Sequence, residues 1–97
     1  MADFPPVHPG TILAEDFMRP LGLSQYALAR EIGVPQIRIS QVVNAKRAIS
    51  PDTALRLARY LGTSAEFWMG LQSGYDLEVA RERAGAEIEK RIVPRAA

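Results

Sequence analysis

Proline and glycine cut this chain into short segments, and within each segment the apolar residues recur at helical spacing. Pro9 opens the first segment and Pro20 closes it. Ser24 and Gly33 bound the second, Pro35 opens the third, Pro51 and Gly62 enclose the fourth, and Gly74 interrupts the last. Proline is tolerated in a first helical turn, where its missing N–H has no partner to lose, and glycine just past a last turn takes left-handed backbone at little cost. No window alternates apolar and polar residues as a half-buried strand does. IRISQVV is rich in β-branched residues, but its Ile39, Val42 and Val43 keep i, i+3, i+4 spacing. The chain reads as all-α.

The first helix is expected to run from Pro9 through TILAEDFMR and to stop before Pro20, with Leu13 and Phe17 on one face. Ser24 is the N-cap of the second, whose inner stripe is Leu28, Ala29 and Ile32. Ile39, Val42 and Val43 line the third. Ser50-Pro51 starts a fourth with Ala54, Leu57, Ala58 and Leu61 inward. Thr63-x-x-Glu66 reads as a capping box for a short fifth helix with Phe67, Trp68 and Leu71. A further helix over 75–92 places Leu77, Ala80, Ala84 and Ile88 on one side and pairs Glu87 with Arg91. The ends, 1–7 and 93–97, are expected to fray. The expected organisation is thus a flexible 1–7, a helical domain over 8–73, and a C-terminal helix and tail over 74–97.

The segment QYALAREIGVPQIRISQVVN, residues 25–44, carries most of the functional signal. Read as two helices joined by a tight turn, it sends Leu28, Ile32, Val34, Ile39 and Val42 inward. Ala29 falls where the helices cross and Gly33 in the turn, where positive φ excludes most side chains. This is the helix-turn-helix layout, in which the second helix, here about 35–44, enters the major groove. Its outward residues suit that use. Gln36, Ile37, Arg38, Ser40 and Gln41 remain outside the buried stripe; Gln can pair with adenine, Arg with guanine, and Ile37 can pack on a thymine methyl. As a guanine reader, Arg38 is expected to contribute about 1–3 kcal/mol of discrimination. Gln25 and Asn44 sit near helix ends, within reach of phosphate, and Lys46 and Arg47 follow as plain charge.

Charge is distributed to match. Net charge is only +1, yet residues 24–60 carry Arg30, Arg38, Lys46, Arg47, Arg56 and Arg59 against Glu31 and Asp52, with no acid between 32 and 51. A basic island between mildly acidic flanks is the footprint of a phosphate-bearing partner.

Other chemistries find little support. At 97 residues the chain is one domain, too small for a two-domain enzyme with a buried cofactor cleft. With no cysteine there is no disulfide or thiolate metal site, which fits a reducing cytoplasm. His8, the only histidine, is read as a helix-entry residue and not a metal ligand. Glu15 and Asp16 diverge by about 100° on a helix and form no catalytic pair. Tyr26, Ser24 and Ser40 have no base at useful spacing, and no glycine-rich phosphate loop is present. No apolar run approaches the roughly 20 residues that span a bilayer. A non-enzymatic cytoplasmic protein without cofactor, metal or membrane partner is expected.

The stretch LSQYALAREIGVPQIRISQVVNAKRAISPDTALRLARYLGTS resembles the five-helix domain of Cro and phage repressors. Together with HPGTILAEDFMRPLGLS before it and EFWMGLQ-x-x-YDLE after it, the chain is similar over residues 8–83 to HigA-type (VapI-like) antitoxins. That resemblance implies a dual role. Such a protein neutralises a cognate HigB-type toxin, an mRNA interferase encoded beside it, and represses the shared operon as a homodimer on an inverted repeat of operator DNA. Gln25, Gln36, Ile37, Arg38 and Gln41 match the family's DNA-contacting positions. Two residues depart from the pattern: Ala45 stands where Gly is commoner, and Pro35 where Ser or Thr is.

A dimer is also expected physically, because one recognition helix reads few base pairs and two half-sites about 34 Å apart multiply the contacts. Phe67, Trp68, Leu71, Tyr75 and Leu77 offer apolar and aromatic bulk for the subunit interface. Two other readings remain open at this stage. One is a stand-alone repressor without a toxin, and the other a helical protein-interaction module that has lost DNA contact.

Overall fold

The computed structural model describes residues 5–96. Five helical segments account for the fold. The first, α1 (9–21), joins Pro9–Ile12, Leu13–Met18 and Arg19–Leu21 without a break. Then come α2 (Gln25–Ile32), α3 (Gln36–Val43) and α4 (Pro51–Leu61). The last, α5 (65–91), joins Ala65–Ala80, Arg81–Gly85 and Ala86–Arg91. No strand is present among the described residues. The all-helical reading, with a helix pair over 25–44 and a C-terminal helix, holds.

Capping follows the sequence closely. The Ser24 hydroxyl accepts the Ala27 amide at 3.0 Å, and Ser50 Oγ accepts that of Thr53 at 3.3 Å. Gly33 ends α2 with φ 72°, and the Val34 amide returns to the Ala29 carbonyl at 3.0 Å, a left-handed closure open to glycine at little cost. His8 starts α1 by accepting the Gly10 amide on Nδ1 at 2.9 Å, the helix-entry role expected of it. The Glu87–Arg91 pair forms at 2.8 Å.

Three local expectations are corrected. The first helix does not stop before Pro20 but continues to Leu21. Leu13–Met18 are wound as a wider π-turn, with the Arg19 amide donating to Ala14, five residues back. A widened turn draws the backbone away from the proline ring, which in a regular α-turn would strike the Asp16 carbonyl. The cap of α5 is Ser64, whose hydroxyl takes the Phe67 amide at 3.0 Å. Thr63 is instead committed to the Trp68 indole N–H at 2.7 Å, since a buried indole needs an acceptor. Finally, α5 runs through Gly74 without a break. A helical glycine costs roughly 1 kcal/mol relative to alanine, which the packing of Trp68 and Gln72 offsets. Of the ends expected to fray, residues 1–4 and 97 lie outside the described residues, and 5–7 and 93–96 are non-helical, as is Ile92, which was expected to belong to the last helix.

The core is Leu13 and Met18 of α1, Leu28, Ala29 and Ile32 of α2, Ile39 and Val42 of α3, Ile49 of the following loop, Ala54 and Leu57 of α4, and Trp68. Val34 packs against it half-buried. Trp68 is fully buried and meets Phe17 at 5.1 Å and Phe67 at 5.0 Å between ring centroids, fixing the start of α5 on α1. Gln72, also buried, accepts the Ile49 amide at 2.8 Å and donates to Asp76 at 2.9 Å, tying the loop after α3 to α5. At Gly10 a Cβ would overlap the Val42 carbonyl oxygen, so α1 rests directly on the last turn of α3. The far half of α5 leaves this body, and its Leu77 and Ile88 are about half exposed. The radius of gyration is accordingly 16.3 Å, against about 13 Å for a compact domain of 100 residues.

Candidate nucleic-acid interface

Burial of Ile39 and Val42 fixes which way α3 faces. Ile37, on the opposite side, is 60% exposed, and Gln36 beside it is exposed as well. An aliphatic side chain held in water at the start of a helix has little to do within the monomer, and contact with a thymine methyl is one use for it. Ser40 and Gln41 follow one turn on, half-buried. Gln25, at the first turn of α2, is half-buried near the same surface. The two helices are held by the left-handed turn at Gly33 and by their shared core, so the face is preformed.

Several side chains expected to be free are engaged within the chain. Asn44 turns its amide back, Nδ2 donating to the Ser40 carbonyl at 2.8 Å, and so closes the last turn of α3 where it was expected to reach outward. Gln41 Oε1 accepts Arg47 Nε at 2.9 Å, which pins the loop cation beside the reading face. Lys46 is exposed, and neither it nor Arg47 makes an ion pair among the described residues. Just before them the backbone turns sharply at Ala45, the single described non-glycine residue with positive φ, 60°.

Arg38 is the main departure. It was expected to project to the groove, on an acid-free face. Instead it lies on the flank of α3, its side chain only 28% exposed, with Nη1 2.8 Å from Oδ2 of Asp52. The same oxygen accepts Arg56 Nε at 3.0 Å. Arg56 Nη1 in turn donates to the carbonyls of Ile32 at 2.8 Å and Gly33 at 3.2 Å. One carboxylate thus joins the end of α2, the first turn of α3 and the first turn of α4. The Arg38 guanidinium, followed by Arg56, holds the Asp52 carboxyl below its ordinary value. The sequence shows Asp52 and Arg56 only as charges of the basic island and gives neither a role at the site, because the partner that links them to it, Arg38, lies on another helix. Their i, i+4 spacing was the available signal.

On α5, Phe67 is 39% exposed and Leu77 51%, while Leu71 is half-buried. Tyr75, also half-buried, sets its ring 4.9 Å from that of His8. Trp68 is withdrawn from the expected interface set, since it is entirely enclosed by its own chain. The sequence could not separate it from Phe67, because Phe17, against which both pack, comes from a helix about 50 residues away.

This arrangement of α2, the Gly33 turn, α3 and the supporting α4 is a helix-turn-helix of the Cro/repressor kind, and the sequence matches the helix-turn-helix family over residues 15–68. It is 45% identical over 80 residues to virulence-associated protein I of Dichelobacter nodosus, covering 82% of this chain and 74% of that one. To antitoxin HigA-1 of Vibrio cholerae it is 36% identical over 84 residues, covering 87% and 79%. The solved structure of Pseudomonas aeruginosa antitoxin HigA with the higBA promoter superposes with a TM-score of 0.92 at 44% identity, covering 94% of this chain and 99% of that one. The chain belongs to the helix-turn-helix family, among the HigA and VapI-like proteins.

Proposed function

We propose that this protein is an antitoxin that represses its own operon. Two protomers bind an inverted repeat, each placing α3 in the major groove of one half-site, and the same protein holds a cognate HigB-type toxin. It acts in the cytoplasm by binding and without catalysis. The observation that carries the DNA half of this reading is the exposed Gln36–Ile37 edge of a helix locked in a helix-turn-helix. Superposition on an antitoxin solved with its promoter supports it. The toxin half rests on relatives named as antitoxins.

On this reading Gln36, Ile37, Ser40 and Gln41 meet bases, and Gln25, Lys46 and Arg47 approach phosphates, while Asn44 stays folded back on the Ser40 carbonyl. Phe67, Leu71, Tyr75 and Leu77 meet the second protomer. The test is an anisotropy titration against the DNA upstream of the gene, with a scrambled duplex and two salt concentrations. Saturable binding that is tighter than to the scramble and falls steeply with salt is expected. Equal, weak binding to both duplexes refutes a sequence-reading regulator. Co-expression with the product of the adjacent reading frame tests the toxin half. A stable complex is expected, and operator binding without any such complex or growth rescue would leave a stand-alone repressor.

A further inference from the structure

We propose that Asp52 is a specificity-determining residue of this DNA reader, holding Arg38 on the flank of α3 and so withholding a guanidinium from sequence-independent phosphate contacts. The proposal rests on α3 being the DNA-reading helix.

Position comes first. Ile39 and Val42 face the core, and successive helical residues are about 100° apart, so Arg38 points sideways along α3, away from Ile37 and toward the first turn of α4. There Asp52 Oδ2 accepts it at 2.8 Å. The tether is anchored from behind, because the same oxygen takes Arg56 Nε at 3.0 Å and Arg56 is fastened to the Ile32 and Gly33 carbonyls. Two cations on one oxygen favour the charged form of the carboxylate.

An exposed pair of this kind contributes little to stability: Asp52 is 58% exposed and Arg38 28%. Its effect falls on the competition for Arg38. Phosphate contacts raise affinity for every sequence alike, whereas base contacts discriminate. A long, flexible cation beside the reading helix would add to the first kind. An acid placed against it lowers affinity for non-operator DNA while leaving Gln36 and Ile37 free, and the ratio between sites widens.

The experiment uses the full chain with operator and scrambled duplexes, titrated across salt concentrations from about 50 to about 200 mM, comparing wild type, Asp52→Asn, Arg38→Ala and the double variant. Asp52→Asn is expected to tighten binding to the scramble more than to the operator. The salt-driven fall in scramble affinity should steepen about threefold over that range, the contribution of one added phosphate contact. In the double variant both changes should vanish. Persistence of the gain without Arg38 would mean that only net charge had changed, and would overturn the proposal. So would an Asp52→Asn protein with unchanged or improved discrimination. If wild type itself fails to prefer the operator, the DNA-reading role falls and this inference with it. Circular dichroism of each variant confirms that the helices are intact.

Discussion

At the scale of single residues, two positions carry conformational or protonation costs that can be measured. Ala45 occupies left-handed backbone at φ 60°, which penalises a Cβ by roughly 1–2 kcal/mol. Ala45→Gly is therefore expected to raise stability by about 1 kcal/mol, less the extra entropy of the unfolded glycine, read as a higher urea midpoint with unchanged slope. His8 caps α1 through Nδ1 and must present that nitrogen as an acceptor. Burial lowers its pKa, with Asp76 opposing. The folded pKa thus lies below the unfolded one, near 6.5, so the unfolded chain binds the proton first. Stability is complete above pH 6.5 and declines as pH falls from there toward the folded value. His8→Asn keeps an acceptor without the titration. Relative to wild type, its melting temperature should drop less between about pH 8 and about pH 5.5, and equal drops would show that His8 does not couple to folding.

Among the elements, the loop after α3 depends on a side chain from α5. Gln72 supplies the acceptor for the buried Ile49 amide, and Gln72→Leu would leave that N–H unpaired at a cost of about 1–3 kcal/mol. The expected signature in hydrogen exchange is lost protection at Ile49 with α2 and α4 unchanged. Contacts of this kind divide what was legible in the sequence from what was not. Ser24, Gly33, Ser50 and Gly62 act within a turn of their own position, and their helix ends fall where the sequence puts them. Leu28, Ile32, Ile39, Val42 and Leu57 betray their burial by spacing alone. The continuity of α5 through Gly74, the passage of α1 through Pro20 and the enclosure of Trp68 depend on partners distant in sequence or on an altered winding. No local pattern encodes those. The candidate interface divides the same way: Gln36 and Ile37 lie where periodicity places them, while Arg38 is turned aside by Asp52, a residue on another helix.

For the whole molecule, the half-exposed Leu77 on the projecting part of α5 makes the proposed pairing testable without disturbing the core. Leu77→Asp is expected to leave the circular dichroism spectrum near that of wild type, with a melting temperature lower by no more than the loss of the partner subunit entails. It should shift the protein to monomer in sedimentation equilibrium and weaken operator binding at least tenfold, since half of the symmetric contacts are then lost. An unchanged sedimentation mass would remove that surface from the interface. The shape of the protomer governs how such an experiment must be read. A body of 53 × 27 × 21 Å tumbles through a larger volume than a sphere of the same mass. A lone 10.7 kDa chain will therefore elute from a sizing column ahead of compact markers, in the direction of a two-chain particle. Light scattering or sedimentation equilibrium, which report mass independently of frictional drag, are the measurements that count protomers here.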